Sequence, residues 1–187
     1  MSGGQLDGKL SPLLRRTRMN AARPFITGRV LDWGCGNGDL CDFLPAEQYV
    51  GVDIDTNVLE EARRSHPDAT FAALDSFEPT GRFDTIAALA VIEHLADPVG
   101  FLSSMSRLLA DHGRIVVTTP NPALDWAHGL GAKFGIFALE SHDEHQSLMN
   151  RRGLDHAARE AELRMVHFKR FLCGANQLAV LEPQRKH

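Results

Sequence analysis

Long apolar runs are missing from this chain of 187 residues. Even Ile86–Ile92 is strand-sized, far below the roughly 18 residues of a membrane span, so no membrane association is expected. The opening Met1-Ser-Gly-Gly-Gln-Leu-Asp-Gly8 holds no continuous apolar stretch, and no signal peptide is expected either. Cysteine is scarce. Cys35, Cys41 and Cys173 cannot all pair with one another and show no zinc spacing, which points to reduced thiols and a cytoplasmic setting. Sixteen glycines and nine prolines are ordinary usage, so collagen-like and low-complexity classes are out. Positive charge is not in excess: a formal net charge of -4 argues against a nucleic-acid partner. What is present, 43% apolar and 24% charged residues over this length, suits one soluble domain with a core that needs no staples.

The charge is uneven. Residues 1–29 hold Lys9, Arg15, Arg16, Arg18, Arg23 and Arg29 against Asp7 alone, a net of +5, which leaves -9 on the remainder. Such an arm is either a solvated helix face or a contact for an anionic ligand group. Leu10, Leu13, Leu14, Ala21 and Ala22 among the arginines predict a short amphipathic helix after Ser11-Pro12.

From residue 29 strand and helix patterns alternate. Strands are expected at Arg29–Trp33, Tyr49–Asp53, Thr70–Leu74, Phe83–Ala90 and Gly113–Thr119. Helices are expected at Asp39–Leu44, Val58–Arg64 and Pro98–Leu109, the second started by Asp55 or Thr56. Fully apolar strands separated by helices call for a parallel sheet covered on both faces, an α/β fold. Asn121–Asn150 shows no clear period, and about 30 such residues in a domain usually form a functional loop. Gly153–Leu163 is helical again, and Arg164–Phe171 with Gln177–Leu181 reads as a closing hairpin that makes one strand antiparallel.

The chemistry concentrates in Val30-Leu-Asp-Trp-Gly34-Cys-Gly36-Asn-Gly38. Glycines between a strand and a helix bring backbone N–H groups close to a ligand. The spacing is G-x-G-x-G, whereas the dinucleotide fingerprint needs its third glycine at +5. Here +5 is Asp39, and Asp32 precedes the loop. Two acids suit a ligand with an ammonium and a sulfonium, not a pyrophosphate. Asp53 follows the second strand, where ribose hydroxyls can donate to it. Ile54 is placed to cover an adenine face, and Asp75 to accept from an exocyclic amine. For Asp53 and Asp75 the alternative is a helix cap.

These segments, with Gly51-Val-Asp-Ile-Asp55, Leu74-Asp-Ser76, Phe83-Asp84 through Val91-Ile-Glu-His-Leu95 and Gly113-Arg-Ile-Val-Val-Thr-Thr-Pro-Asn121, resemble the class I S-adenosylmethionine-dependent methyltransferases. The resemblance is to the broad small-molecule group that includes the ubiquinone-biosynthesis O-methyltransferases. The resemblance spans about residues 29–121. It implies a Rossmann-like seven-stranded, mostly parallel sheet of order 3-2-1-4-5-7-6 with the last strand antiparallel. It also implies S-adenosyl-L-methionine as cofactor and methyl transfer to a small-molecule acceptor through oxygen or nitrogen, in a monomer or homodimer. Gly34, Gly36 and Gly38 would line the methionine part, Asp53 would hold the ribose, and Asp75 with the Ser76 backbone would meet the adenine. Leu89 and Ala90 would offer a carbonyl to the amino group. An arginine of the first helix would meet the cofactor carboxylate: Arg15, with Arg18 one turn on.

The resemblance departs at one point. The ubiquinone-type enzymes carry Glu-x-x-Glu-His after strand four, and here Ala90-Val-Ile-Glu93-His94 lacks the first carboxylate. No metal is therefore expected. His94, His142 and His145 are the candidates for a general base, with a structural role as the alternative for His94. Trp126, His128, Phe134 and Phe137 would shape an apolar acceptor pocket beside Lys133. The expected division is a helical lid over 1–28, a cofactor half over 29–119, an acceptor segment over 120–152 and a closing helix and hairpin over 153–187. A non-catalytic cofactor-binding protein and a nicotinamide-dependent oxidoreductase are the rival readings, the second opposed by the glycine spacing.

Overall fold

The computed structural model describes residues 4–122 and 149–184, with side chains from Leu13 onward. Helix α1 (Gly4–Ala22) leads into strand β1 (Val30–Trp33). There follow β2 (Tyr49–Asp53), α2 (Thr56–Ser65), β3 (Thr70–Ala73), β4 (Phe83–Leu89), α3 (Pro98–Ser106) and β5 (Leu109–Pro120). After the undescribed stretch come α4 (Arg151–Glu160), β6 (Leu163–Phe171) and β7 (Asn176–Pro183). The sheet order is β3-β2-β1-β4-β5-β7-β6. β1 to β5 pair in parallel, and β7 runs antiparallel to both β5 and β6. The fold is Rossmann-like, with the expected strand order.

Alternation along the strands sorts side chains to two faces. Leu31, Ile86, Ala88, Ile115, Val117, Ala179 and Leu181 pack on one face with Leu102 and Met105 of α3 and Leu154 and Ala158 of α4. Val30, Ala87, Val116, Leu178 and Val180 point the other way, toward Met19 and Ala22 of α1 and Leu59 and Ala62 of α2. Caps close the helices as side-chain chemistry requires. Asp55 accepts from Asn57 N at 2.9 Å, Asp97 from Gly100 N at 2.8 Å, and Asn150 from Arg152 N and Gly153 N at 3.0 Å each.

Several boundaries differ from the sequence reading; the helix expected over Gly153–Leu163 spans Arg151–Glu160, and Leu163 opens β6. α1 starts at Gly4, ahead of Ser11-Pro12. Asp39–Phe43 is a 3₁₀ turn and not an α-helix, because five residues between left-handed Gly38 and the extended Leu44 leave no room for a longer one. β5 begins at Leu109, which the helical spacing had claimed for α3. Its ladder with β4 slips between Phe83 and Thr85, and the irregular stretch hides the strand's period. Gly113 sits at that slip, where a Cβ would stand 2.7 Å from the Phe83 carbonyl oxygen.

The α4 contact is tested by Leu154→Ala, which removes a side chain with no exposed surface. Urea unfolding should show a loss of about 2–5 kcal/mol. A loss below roughly 1 kcal/mol would mean that α4 is peripheral to the core.

Candidate functional site

The C-terminal ends of β1, β2 and β4 meet where open α/β sheets bind ligands. Beyond Trp33 the glycine loop folds back on β2: Gly34 N and Cys35 N both donate to the Val52 carbonyl, at 2.8 and 3.0 Å. Gly36 N donates to Asp53 Oδ2 at 2.7 Å. Asp53 Oδ1 accepts from Asp55 N at 3.0 Å. Asp53 is thus the tie between loop and strand, while Asp55 caps α2. The three glycines do different jobs. A Cβ on Gly34 would stand 2.6 Å from Val91 Cγ2, and one on Gly38 2.8 Å from the Phe71 ring. At Gly36, with φ +54°, a Cβ would meet nothing within 4 Å. Gly34 and Gly38 are small because protein presses on them, and Gly36 because it borders open space.

That space is a cavity of about 240 Å³ lined by Arg15, Arg18, Met19, Asp32, Gly34, Cys35, Gly36, Asp39, Leu40, Asp53 and Leu89. Its charges oppose each other, acids on the sheet side and arginines on α1. Asp32 is 4% exposed and accepts from the Tyr49 hydroxyl at 2.8 Å. Burial pushes its carboxyl up to about 7; the Tyr49 hydrogen bond pulls it down, and Asp53 and Asp39 push it further up. Arg15 Nη1 donates to Asn37 Oδ1 at 2.6 Å and to Asp39 Oδ2 at 3.0 Å, spanning the glycine loop. Arg18 is more enclosed and donates from Nε to Asn176 Oδ1 at 3.1 Å. Burial lowers its basicity, against the favourable charge of Glu93.

Of the residues singled out in the sequence, Arg15, Arg18, Asp32, Gly34, Gly36, Asp53 and Leu89 come together on this cavity. Gly38 supports the loop from behind. Ile54, 81% exposed, lies on the open rim beyond β2. Asp75 and Ser76 are exposed on the turn Leu74–Ser76 after β3, at the same sheet end but off the cavity. Ala90 also lies off it, with φ +60° and its N–H held by Thr118 O and Oγ1 at 2.9 and 3.1 Å. A non-glycine in that conformation marks a locally constrained turn. His94 is exposed on the next turn. His142, His145, Trp126, His128, Lys133, Phe134 and Phe137 lie outside the described residues. Met19, Asp39 and Leu40 line the cavity without having been named as site residues. The Arg15–Asp39 pair was readable only as opposite charges 24 positions apart.

The arrangement fits a zwitterion: a cation against Asp32, an anion against the arginines, and backbone close by at Gly36. The volume falls below the roughly 300–1,000 Å³ of a whole ligand site and has room for the charged end of a larger ligand. A family model for the methyltransferase domain matches residues 4–168. The chain belongs to this family. Among similar proteins, the ubiquinone biosynthesis O-methyltransferase of Brucella anthropi is 31% identical over 160 residues, covering 79% of this chain and 64% of that one. Its counterpart in Bradyrhizobium diazoefficiens is 36% identical over 102 residues, covering 50% of this chain and 40% of that one. The chain therefore spans from 40% to 64% of the length of those relatives. In fold it resembles the magnesium protoporphyrin IX methyltransferase of Synechocystis, solved with bound SAH (TM-score 0.64, 16% identity, 97% of this chain and 83% of that one). It also resembles an S-adenosylmethionine-dependent methyltransferase of Clostridium acetobutylicum (TM-score 0.65, 11% identity, 96% and 92%).

The buried acid makes a pH prediction for the ligand-free protein. A carboxyl raised in the folded state stabilises the fold while protonated, and this contribution is lost as pH rises from its unfolded value, near 4, through about 7. The span corresponds to roughly 4 kcal/mol. Asp32→Asn keeps the acceptor for Tyr49 and removes the charge. The variant should unfold at higher urea than the parent at pH 8, and the gap should shrink toward pH 5. An equal gap at both pH values would contradict the assignment.

Proposed function

We propose that this methyltransferase moves a methyl group from S-adenosyl-L-methionine to a small organic acceptor. The observation that carries the reading is the buried Asp32 carboxyl facing two arginines across the Gly36 cradle. When bound, the cofactor supplies an electrophilic methyl on a sulfonium, so the protein mainly has to align and desolvate the reactants. Asp32 takes the ammonium group, and Arg18 with Arg15 the carboxylate. Asp53 keeps lone pairs for the ribose hydroxyls while holding Gly36. Ile54 covers the adenine, Asp75 and Ser76 meet its amine, and the chain at Leu89 and Ala90 turns a carbonyl inward.

The names of the relatives favour an oxygen nucleophile. The acceptor enters beside residues 120–152, whose aromatic residues and lysine suit a small or amphiphilic molecule. Residues 1–28 close over the cofactor. His94, His142 and His145 remain the candidates for a base when the nucleophile is a hydroxyl. Among the described residues no group of three or more His, Cys, Asp or Glu is placed to hold a metal, and no helix is long and apolar enough to cross a membrane.

Calorimetry with S-adenosylhomocysteine should show one-to-one binding, and NAD should give no heat. Affinity should rise about tenfold from pH 6 to pH 8, because a carboxyl near 7 must lose its proton to face an ammonium. A pH-independent affinity, or tight NAD binding, contradicts the reading. Asp53→Ala should weaken binding by about 1.5–3 kcal/mol with the circular dichroism unchanged; unchanged affinity would reduce Asp53 to a loop tie. Methyl transfer into a metabolite extract should survive chelation. A loss restored by magnesium would show that a metal ion serves the site after all.

A further inference from the structure

A second group of polar side chains is buried at the same end of the sheet and is absorbed by none of the roles above. Glu93, on the turn after β4, is 2% exposed, and Thr119 of β5 and Gln177 of β7 are wholly buried. Thr119 and Gln177 are cross-strand partners, so their side chains share a face. The Thr119 hydroxyl lies beside the Glu93 carboxyl without closing a hydrogen bond to it. Gln177 Nε2 is engaged, donating to the carbonyls of Pro120 and Met149. Three oxygens, Glu93 Oε2, Thr119 Oγ1 and Gln177 Oε1, are fully enclosed and have no hydrogen-bond partner among the described residues. Folded proteins hold few such atoms, and each needs a physical reason, a catalytic role being one.

Arg18 links the cluster to the cofactor cavity. It lines that cavity, and its charge acts on Glu93 from α1, as His94 does from the same turn as Glu93. Burial pushes the Glu93 carboxyl above its ordinary range; its backbone hydrogen bond, Thr119, His94 and Arg18 act in the opposite direction. The chemistry of the three atoms is one-sided. Gln177 Oε1 and an ionised carboxylate only accept, and a hydroxyl can do so.

We propose that Glu93, Thr119 and Gln177 recognise the nucleophilic head of the methyl acceptor, and that this head is a hydroxyl or amine donating hydrogen bonds to them. Glu93 Oε2 is the atom that holds the nucleophile's proton. A carboxylate or phosphate head would set like charge and lone pairs against the same oxygens and is rejected. The inference rests on the methyltransferase reading and names which end of the acceptor is read, and by which atoms.

The test uses the full chain, S-adenosylmethionine carrying a labelled methyl, and a metabolite extract as the acceptor probe, with products resolved by mass spectrometry. Label should appear on hydroxyl oxygens or amine nitrogens. Glu93→Gln should lower transfer at least about 100-fold, and Thr119→Val should raise the acceptor KM more than it lowers kcat. Both variants should bind S-adenosylhomocysteine within twofold of the parent, and neither should melt at a lower temperature, since each removes an oxygen that has no partner in the fold. Methyl esters as the only products, or parental transfer by Glu93→Gln, would overturn this inference and leave the methyltransferase reading intact. A lower melting temperature for Glu93→Gln would make Glu93 a structural anchor and overturn it too. If the parent binds S-adenosylhomocysteine and labels nothing, both readings fall.

Discussion

Asp32 ends the buried part of β1 with a carboxyl that water barely reaches and one neutral hydrogen bond, from the chain's single tyrosine. Taking a carboxylate out of water without a charged partner is costly, and the group answers by holding its proton. The surrounding architecture follows from that constraint. Asp53 and Asp39 add negative charge to the same cavity, and α1 lays Arg15 and Arg18 across its mouth. Arg15 pairs with Asp39 and Asn37 instead of with Asp32, so among the described residues no cation pairs with the deepest acid. A fold selected for stability alone would place an amide or an apolar residue there. Sites that bind charge carry such strain in the ligand-free state.

The glycine loop makes that acid reachable. Its backbone is pinned from β2 by Val52 and Asp53 and pressed from outside by Val91 and Phe71, which leaves Gly36 as the open edge. Rigid support on three sides and open space on the fourth is what a preorganised ligand cradle needs. The same sheet end carries the polar corner of Glu93, Thr119 and Gln177. Arg18 stands between the two, on a helix that covers one face of the sheet, and this couples α1 to both regions.

Much of this was legible in the residues. The short, mostly apolar runs in Val30–Trp33 and Phe83–Leu89 give strands buried on both faces, and the glycine spacing with Asp32 and Asp53 marks the cavity wall. The strand order came from resemblance, since hydropathy has no information on which strand neighbours which. The start of β5 was hidden because a strand that slips against its neighbour loses its period. The choice of Arg18 over Arg15 as the more enclosed cation depends on how α1 is rotated over the sheet, which a weakly amphipathic helix does not specify. The polar corner did leave a trace: Thr119 and Gln177 lie beside the apolar runs Ile115–Val117 and Leu178–Leu181. Polar residues at buried strand ends are a signal that periodicity alone discards.

The most direct measurement is the titration of Asp32 itself, by carbon-detected NMR on protein labelled at aspartate side-chain carboxyls and assigned with Asp32→Asn. In the free protein this carboxyl should titrate about 7, well above the ordinary aspartate value of about 4. Saturation with S-adenosylhomocysteine should bring it back to that range or below, as an ammonium group takes its place beside the carboxylate. An Asp32 that titrates near 4 in the free protein, or one whose midpoint is unmoved by the ligand, would contradict the claim that this site is organised around a buried acid awaiting a cation.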